Sequence, residues 1–224
     1  MKLFNKKRKP LVVMVHGFGR NRSSEFDSLA RFLESHGYRT LRFDIYDLDD
    51  PDDADSNEWI ARCEARMQEA FRQSSEVILV GFSMGGVIAS RLASVFQVKM
   101  LVLVAPAFRY LDFEKVARSI TRSVTGKPKD EKPSSAQTRA FREVVASCKD
   151  AVSRVRCPVL MIHGTDDEVI DPASSHEAFA KIPTEHKRLI YIEGARHRLL
   201  YDGQLEETAD AIILDFLEGK LMKL

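Results

Sequence analysis

The sequence predicts an α/β fold in which helices cover both faces of a doubly wound, mainly parallel sheet of about six strands. Six short runs of apolar, mostly branched residues recur along the chain; they are residues 11–15, 40–44, 76–80, 99–104, 158–163 and 188–192. These runs are continuous rather than alternating, as in strands that are buried on both faces. Amphipathic segments separate most of them, and this alternation of strands and helices indicates a parallel sheet.

The predicted helices are recognised by an apolar face and by their ends. Residues 24–37 place four apolar side chains on one helical face, and Gly37 provides a stop. Residues 56–71 show the same pattern behind Ser56, whose hydroxyl suits an N-cap. A further amphipathic segment at 205–221 closes the chain as a helix.

A chain of 224 residues is most economically one domain, so we predict a single domain over 1–224. One interval breaks the strand–helix rhythm, because 107–156 contains no strand. It consists of a helical pattern at 108–124, a polar, proline-containing loop at 125–135 and a second helical pattern at 136–155. This interval is too small for a core of its own, so we predict a helical cap that lies over one edge of the sheet.

The composition argues against several classes of protein. The 34 basic and 33 acidic residues give a net charge of +1, so no nucleic-acid partner is expected, and the basic run at 6–9 is interpreted as a solvated tail. Three widely spaced cysteines, without CxxC or Cys/His ligand spacing, predict neither a disulfide framework nor a metal site. No apolar run approaches the roughly 20 residues of a membrane span, and no secretory leader is evident. We therefore expect a cytoplasmic protein without stable membrane insertion, and its oligomeric state stays open.

A serine lies where the third predicted strand turns into a helix. The residues GFSMG at 81–85 fit the pattern G-x-S-x-G directly after the strand at 76–80. A tight turn of this kind lifts the hydroxyl of Ser83 above the carboxyl edge of the sheet, and the helix N-terminus supplies partial positive charge. A turn that merely tolerates a small residue also explains a serine, so a nucleophile needs partners elsewhere in the chain.

Histidine and carboxylate partners follow the last two predicted strands. His197 lies on a glycine-containing loop after the final strand, whereas His16 and His163 end strands, where a histidine is expected to buttress a loop. An acidic cluster follows the strand at 158–163; its members are Asp166, Asp167, Glu168 and Asp171. The carboxyl ends of parallel strands converge on one crevice, so serine, acid and histidine are expected to meet there. A structural histidine and a solvated acidic turn are the alternatives.

The loop after the first predicted strand carries two glycines that allow its backbone to approach Ser83 closely. Gly17 and Gly19 flank Phe18, and the backbone N–H of Phe18 is predicted to pair with that of Met84 as an oxyanion hole. The alternative, a dinucleotide-binding loop, lacks the G-x-G-x-x-G spacing and a suitably placed ribose-binding acid. No cofactor is therefore expected.

Four motifs together resemble the α/β-hydrolase superfamily: HGFG at 16–19, GFSMGG at 81–86, HGTDDEVID at 163–171 and GARHR at 194–198. Among its branches, the chain is most similar to small bacterial carboxylesterases and monoacylglycerol-lipase-like enzymes. In those proteins a short helical cap follows the strand after the nucleophile turn. The resemblance therefore implies an α/β-hydrolase fold with the cap placed at 107–156.

The resemblance also implies a role for each candidate residue. Ser83 is the nucleophile, His197 the general base and acid, and Asp167 the acid that orients the histidine. The pattern H-G-x-x-D-x-x-V places that acid at Asp167, with Asp166 as the alternative. The two antiparallel strands that usually lead this fold have no room before Leu11, so a shortened sheet of six parallel strands is expected.

The expected activity is hydrolysis of a small-molecule acyl ester through an acyl-enzyme. An acyl pocket is one role expected for the apolar side chains beneath the cap, and ordinary core packing is the alternative; these side chains are Phe108, Tyr110, Leu111, Phe113 and Ile120. Thioesters, amides and lactones are alternative substrates, because the same residues act on any activated acyl group. A non-catalytic binding protein on this fold is the alternative of another class. The acidic segment at 44–59 departs from the glycine- and histidine-containing loop of relatives and leaves the substrate open.

Overall fold

The six apolar runs form one parallel sheet in the part of the chain that the structure describes. This computed structural model describes residues 8–19, 22–109, 133–201 and 205–222. The strands are β1 (Leu11–Val15), β2 (Arg39–Arg42), β3 (Val77–Phe82), β4 (Met100–Val104), β5 (Val159–Gly164) and β6 (Lys187–Ile192). They lie in the order β2-β1-β3-β4-β5-β6, and every neighbouring pair is parallel. The predicted fold class and the six parallel strands are confirmed.

The edge strand β2 ends earlier than predicted. Its pairing with β1 stops at the partners Met14 and Arg42, so the prediction of a strand over 40–44 is wrong at its end. Beyond Arg42 the chain leaves the sheet, because Asp44 accepts hydrogen bonds from the backbone N–H (3.0 Å) and the hydroxyl (2.5 Å) of Ser23. An aspartate bound in this way belongs to the loop and not to the ladder.

Six α-helices are present among the described residues. They are α1 (Asp27–Ser35), α2 (Ser56–Gln73), α3 (Met84–Val95), α4 (Ser135–Cys148), α5 (Pro172–Lys181) and α6 (Glu206–Leu217). A 3-10 turn at Arg22–Phe26 precedes α1, so this helix begins three residues later than predicted. In the described ranges, no helix combines the length and the apolar character that crossing a membrane requires.

Asp55, and not Ser56, caps the N-terminus of α2. The carboxylate of Asp55 accepts hydrogen bonds from the backbone N–H groups of Asn57 (2.7 Å) and Glu58 (3.3 Å). Ser56 is the first helical residue, and its hydroxyl donates to Glu143 of α4 at 3.0 Å. Aspartate and serine cap helices equally well, so the two neighbours could be told apart only by their backbone conformation.

Alternate residues of the strands supply two hydrophobic cores, one on each face of the sheet. The first core joins the strands to α2, α3 and α4; its strand members include Val13, Leu79, Leu101 and Met161. The second core joins them to α1 and α6; its strand members include Val12, Ile78, Val102 and Leu160. Because successive side chains of a strand point to opposite faces, continuous apolar runs are needed to fill both cores.

The interval 107–156 is described only at its two ends. Residues 110–132 lie outside the described residues, as do most of the predicted helix at 108–124 and loop at 125–135. The helical pattern at 136–155 corresponds to α4 and a following 3-10 turn, and α4 packs against α2 and α3. The helical cap over this interval stays a prediction.

Asp210 of α6 carries a buried carboxyl group whose ionisation opposes folding. The residue is 3% exposed, and its Oδ1 has no hydrogen-bond partner among the residues that the structure describes. Burial, and then the charges of Glu206 and Glu207, raise the pKa of Asp210 to about 7. Since the folded protein binds this proton more tightly than the unfolded chain, the stability contributed at this site falls as the pH rises from about 4 to about 7.

We expect Asp210→Asn to raise the free energy of unfolding at pH 8 by on the order of 2 kcal/mol and to change it little at pH 5. The amide removes the cost of burying a charge that the natural side chain bears only at the higher pH. Urea denaturation at both pH values measures the difference, and Asp52→Asn at an exposed position is the control. An equal effect at both pH values, or destabilisation at pH 8, would contradict this account.

Candidate active site

Ser83 occupies a strained turn between β3 and α3. Its backbone has φ +52° and ψ −119°, a conformation that costs a residue with a Cβ about 1–3 kcal/mol. The surrounding chain holds this turn: the N–H of Ser83 donates to the carbonyl of Val104 in β4, and the N–H of Ala107 donates to the carbonyl of Ser83, both at 3.0 Å. The turn therefore places the serine side chain at the carboxyl edge of the sheet.

Glycines on either side of Ser83 let the backbone close this turn. A Cβ on Gly85 would lie 1.9 Å from the carbonyl oxygen of Val15 at the end of β1. A Cβ on Gly81 would lie 2.5 Å from the carbonyl oxygen of Gly85. Both distances are far below contact, so the approach of α3 to β1 requires glycine at 85, and the approach of β3 to α3 requires glycine at 81.

The structure brings Ser83, Asp167 and His197 together in one chain of hydrogen bonds. His197 Nε2 lies 3.1 Å from the Oγ of Ser83, and His197 Nδ1 lies 2.8 Å from the Oδ2 of Asp167. All three residues are buried: Ser83 is 8% exposed, Asp167 4% and His197 5%. Because the carboxylate only accepts, Nδ1 carries the proton, and the lone pair of Nε2 is left to accept the serine hydroxyl.

Asp167 is held as a buried, ionised carboxylate. Burial by itself would raise the pKa of Asp167, but the charge of His197 and the hydrogen bonds from His163 and His197 outweigh it, and the pKa lies far below its usual range. The other oxygen, Oδ1, accepts the backbone N–H groups of Val169 (2.9 Å) and Ile170 (2.8 Å). The carboxylate can therefore stabilise a positive charge on the neighbouring imidazole.

The alternative acid, Asp166, is placed differently. Its side chain is exposed, and its carboxylate accepts the hydroxyl of Thr165 at 3.2 Å. Its backbone N–H donates to the carbonyl of Ala195, which ties the loop after β5 to the loop that carries His197. The contact with His197 is thus made by Asp167.

His163 is a member of the site that the sequence analysis treated only as a loop buttress. Its Nε2 lies 2.9 Å from the Oδ2 of Asp167, and its Nδ1 lies 2.6 Å from the Oγ of Ser175 in α5. His163 is fully buried at the end of β5. The sequence feature that could have indicated this contact is the motif H-G-x-x-D, in which His163 lies four residues before Asp167.

The loop after β1 lies directly against Ser83. A Cβ on Gly17 would lie 3.1 Å from the Cβ of Ser83, so glycine allows the close approach that the sequence analysis expected. Within the described ranges, the backbone N–H groups of Phe18 and Met84 donate no hydrogen bond. These two groups therefore remain able to bind an oxyanion, and their role as an oxyanion hole stays a prediction.

The peptide group between Gly17 and Phe18 is oriented by two buried side chains. The carbonyl of Gly17 accepts the hydroxyl of Tyr46 at 2.8 Å and the Nδ1–H of His16 at 2.7 Å. His16 is neutral near pH 7, because burial lowers its pKa to about 4, and its Nε2 accepts the N–H of Ile45. In a planar trans peptide the carbonyl and the following N–H point in opposite directions, so fixing one fixes the other. Tyr46 and His16 thereby set the direction of the Phe18 N–H.

Glu25 anchors the same loop from its other side. Its Oε2 accepts the N–H of Gly17 at 2.9 Å, and its Oε1 accepts the hydroxyl of Tyr201 at 3.2 Å. Burial raises the pKa of Glu25 to about 7, against the opposing effects of these hydrogen bonds and of the charge of His197. Sequence reasoning missed Glu25 because it lies on a short 3-10 turn without a recognisable motif.

The side chain of Phe18 is buried in an aromatic cluster. It stacks on Phe141 of α4, with ring centroids 4.9 Å apart, and contacts the rings of Tyr46 and Trp59. This packing fixes the loop while its backbone faces Ser83. Of the predicted acyl-pocket residues, Phe108 is half-buried beside the turn; Tyr110, Leu111, Phe113 and Ile120 lie outside the described residues.

Comparisons with known proteins agree with this fold. A family model described as the alpha/beta hydrolase family matches residues 12–211. The monoacylglycerol lipase of Paleococcus ferrophilus has a TM-score of 0.72 at 19% identity, with 93% of this chain and 95% of that chain covered. A soluble variant of monoglyceride lipase from Saccharomyces cerevisiae, in complex with a substrate analog, has a TM-score of 0.79 at 18% identity, with 99% and 89% covered.

A curated relative matches over a shorter stretch. The alpha/beta hydrolase domain-containing protein aho-3 of Caenorhabditis elegans is 46% identical over 48 residues. These residues make up 21% of this chain and 14% of that protein, so the chain spans only a small part of its relative's length.

We expect Gly85→Ala to lower the free energy of unfolding by about 3 kcal/mol or more, or to prevent folding. The added Cβ would meet the backbone at the end of β1, which cannot move without disturbing its pairing with β2 and β3 on either side. Gly19→Ala is the matched control, because its Cβ would meet only Glu25 at an ordinary 3.6 Å. Thermal unfolding of the two variants makes the comparison, and equal midpoints would show that the turn does not need this glycine.

Proposed function

Because this chain belongs to the alpha/beta hydrolase family, we propose that it is a serine hydrolase that cleaves carboxylic esters through an acyl-enzyme on Ser83. The observation that carries the proposal is the chain of hydrogen bonds from Ser83 through His197 to Asp167. Ser83 lies on a strained turn, and its hydroxyl is within hydrogen-bond distance of a histidine. A hydroxyl nucleophile needs such a neighbouring base near neutral pH. The resemblance to lipases and monoglyceride lipases supports an ester as the substrate.

In the proposed mechanism, His197 Nε2 takes the proton of Ser83 as Oγ attacks the ester carbonyl. Asp167 holds the histidine in the required tautomer and stabilises the imidazolium that forms. The negative charge that develops on the carbonyl oxygen is bound by the N–H groups of Phe18 and Met84. The imidazolium then gives its proton to the leaving alcohol, and the acyl group stays on the serine.

Deacylation uses the same groups in the second half of the reaction. Water takes the place of the alcohol, His197 accepts its proton, and the resulting hydroxide equivalent attacks the acyl carbon. Proton transfer to Oγ of Ser83 releases the carboxylic acid and restores the starting state. Thioesters, amides and lactones share this route; they differ in the group that leaves the acyl carbon, which is a thiol, an amine or an alcohol that stays tethered to the acyl group.

We expect Ser83→Ala to reduce the turnover of short p-nitrophenyl esters by at least about 10⁴-fold. The nucleophile is removed, while the fold keeps its two cores. Ser90→Ala is the matched control, since Ser90 lies in the same helix α3 and its buried hydroxyl only donates to the carbonyl of Gly86. Initial rates at saturating ester give the comparison. Undiminished turnover in Ser83→Ala would exclude the proposed nucleophile, and no turnover in the natural protein would favour the binding-protein alternative.

We expect Tyr46→Phe to lower kcat about tenfold with KM nearly unchanged, because the hydroxyl that donates to the carbonyl of Gly17 and accepts the N–H of Gly19 at 2.7 Å no longer holds the loop that orients the Phe18 N–H. The effect falls on kcat since the oxyanion exists only in the transition state and intermediates. Tyr191→Phe is the control; it removes a hydroxyl that donates to the carbonyl of Pro172 at the surface. An unaltered kcat, or a change confined to KM, would remove Tyr46 from the mechanism.

A further inference from the structure

We propose that His163 is a positioning residue that holds Asp167 in place and moderates how strongly this carboxylate attracts the proton of His197. The inference rests on the proposed function, because it concerns the same chain of hydrogen bonds. It starts from one atom: the Oδ2 of Asp167 lies 2.9 Å from His163 Nε2 and 2.8 Å from His197 Nδ1. A single carboxylate oxygen thus serves two imidazole rings.

All acceptor sites of the Asp167 carboxylate are occupied. Its Oδ1 accepts two backbone N–H groups, from Val169 and Ile170, and its Oδ2 accepts the two histidines. The side chains of Asp167 and His163 have no exposed surface, so water does not replace a lost donor easily. Of these four donors, two are backbone N–H groups and one is His197 of the proposed triad. His163 supplies the fourth, from a side chain outside the triad.

The hydrogen-bond partners define the tautomer of His163. Asp167 accepts at Oδ2, so Nε2 carries a proton, and the remaining nitrogen, Nδ1, accepts the hydroxyl of Ser175 at 2.6 Å. The neighbouring residue on β6 is Tyr191, whose hydroxyl is turned to the carbonyl of Pro172 and leaves His163 to these two partners. Ser175 therefore fixes the ring of His163, and the ring in turn fixes the carboxylate.

The charged groups around His163 allow a neutral ring. Asp167 faces it directly and already shares its negative charge with His197. Asp171, the residue that caps the N-terminus of α5, also interacts with the charge of His163, and Arg109 neutralises Asp171 in an ion pair of 2.5 Å. If His163 were also positively charged when the imidazolium forms on His197, two buried positive charges would share the carboxylate of Asp167. Burial makes such an arrangement costly.

Two consequences follow for the proposed reaction. A second donor on Oδ2 draws electron density from the carboxylate, so it weakens the attraction between Asp167 and the imidazolium of His197. It also removes the freedom of the carboxylate to rotate about its Cβ–Cγ bond, so His197 Nδ1 keeps one acceptor. Without His163 the carboxylate would bind the imidazolium more strongly but hold the ring in a less defined orientation.

The test compares His163→Leu, which removes the donor, with His163→Gln, whose side-chain amide can place an N–H near the position of Nε2. We expect His163→Leu to lower kcat about tenfold, to leave KM within about twofold, and to move the acid limb of kcat/KM upward by about 0.5–1 pH unit. We expect His163→Gln to restore kcat to within about threefold of the natural protein and to return the acid limb to its original position.

A purely structural role for His163 would give a different result. In that case His163→Leu would unfold at a lower temperature than the natural protein, but its folded molecules would keep the natural kcat and pH profile. This outcome would overturn the inference. If His163→Leu fails to fold, Ser175→Ala serves in its place, with an expected threefold or so loss of kcat and an acid limb displaced in the same direction. An unmoved profile in Ser175→Ala and a kcat equal to the natural one would overturn the inference as well.

The failure of this inference can be told from a failure of the proposed function. Ester turnover by the natural protein, lost in Ser83→Ala, supports the function regardless of what His163 does. If that turnover is present and the His163 variants behave like the natural protein, only the role of His163 is wrong. If the natural protein turns over no ester, the proposed function falls and the inference falls with it.

Discussion

The left-handed backbone of Ser83 is the constraint on which the rest of the site depends. Such a conformation is unfavourable for serine and persists only where the surrounding structure holds it. Here Val104 at the end of β4 and Ala107 just after it each make a backbone hydrogen bond with Ser83, and Gly85 brings α3 against the end of β1. The two hydrophobic cores of the sheet thus stabilise a turn that local preferences oppose. As a result, the serine hydroxyl lies at the edge of the sheet where the loops after β1, β5 and β6 begin.

Buried polar groups around this turn are stabilised by complete sets of hydrogen bonds. Asp167 accepts four donors and stays ionised, His16 is neutral because burial lowers its pKa to about 4, and burial raises the pKa of Glu25 to about 7. An unpaired charge in such a place would cost several kcal/mol. Asp167 is the ionised carboxylate in hydrogen-bond contact with His197, which is where a transient imidazolium requires a negative charge.

Most of the fold follows from local sequence patterns, whereas the site follows from them only in part. Strands buried on both faces must be continuously apolar, so the sequence predicts their number and parallel direction, although not their order in the sheet. The motif G-x-S-x-G marks the turn at Ser83 because its glycines are sterically required. The acid was ambiguous between two neighbouring aspartates until burial and distance singled out Asp167 as the partner of His197. Tyr46 and Glu25 went unnoticed because their contacts with the β1 loop depend on tertiary packing that carries no local motif.

A phosphonylating probe of serine hydrolases identifies the nucleophile by the residue that it modifies. The chain is treated with an alkyl fluorophosphonate, and peptide mapping by mass spectrometry locates the adduct. We predict one adduct on Ser83, formed at least about a hundredfold more slowly when His197 is replaced by alanine, because the histidine must take the serine proton. An adduct on another residue, no adduct, or a rate that does not depend on His197 would contradict it.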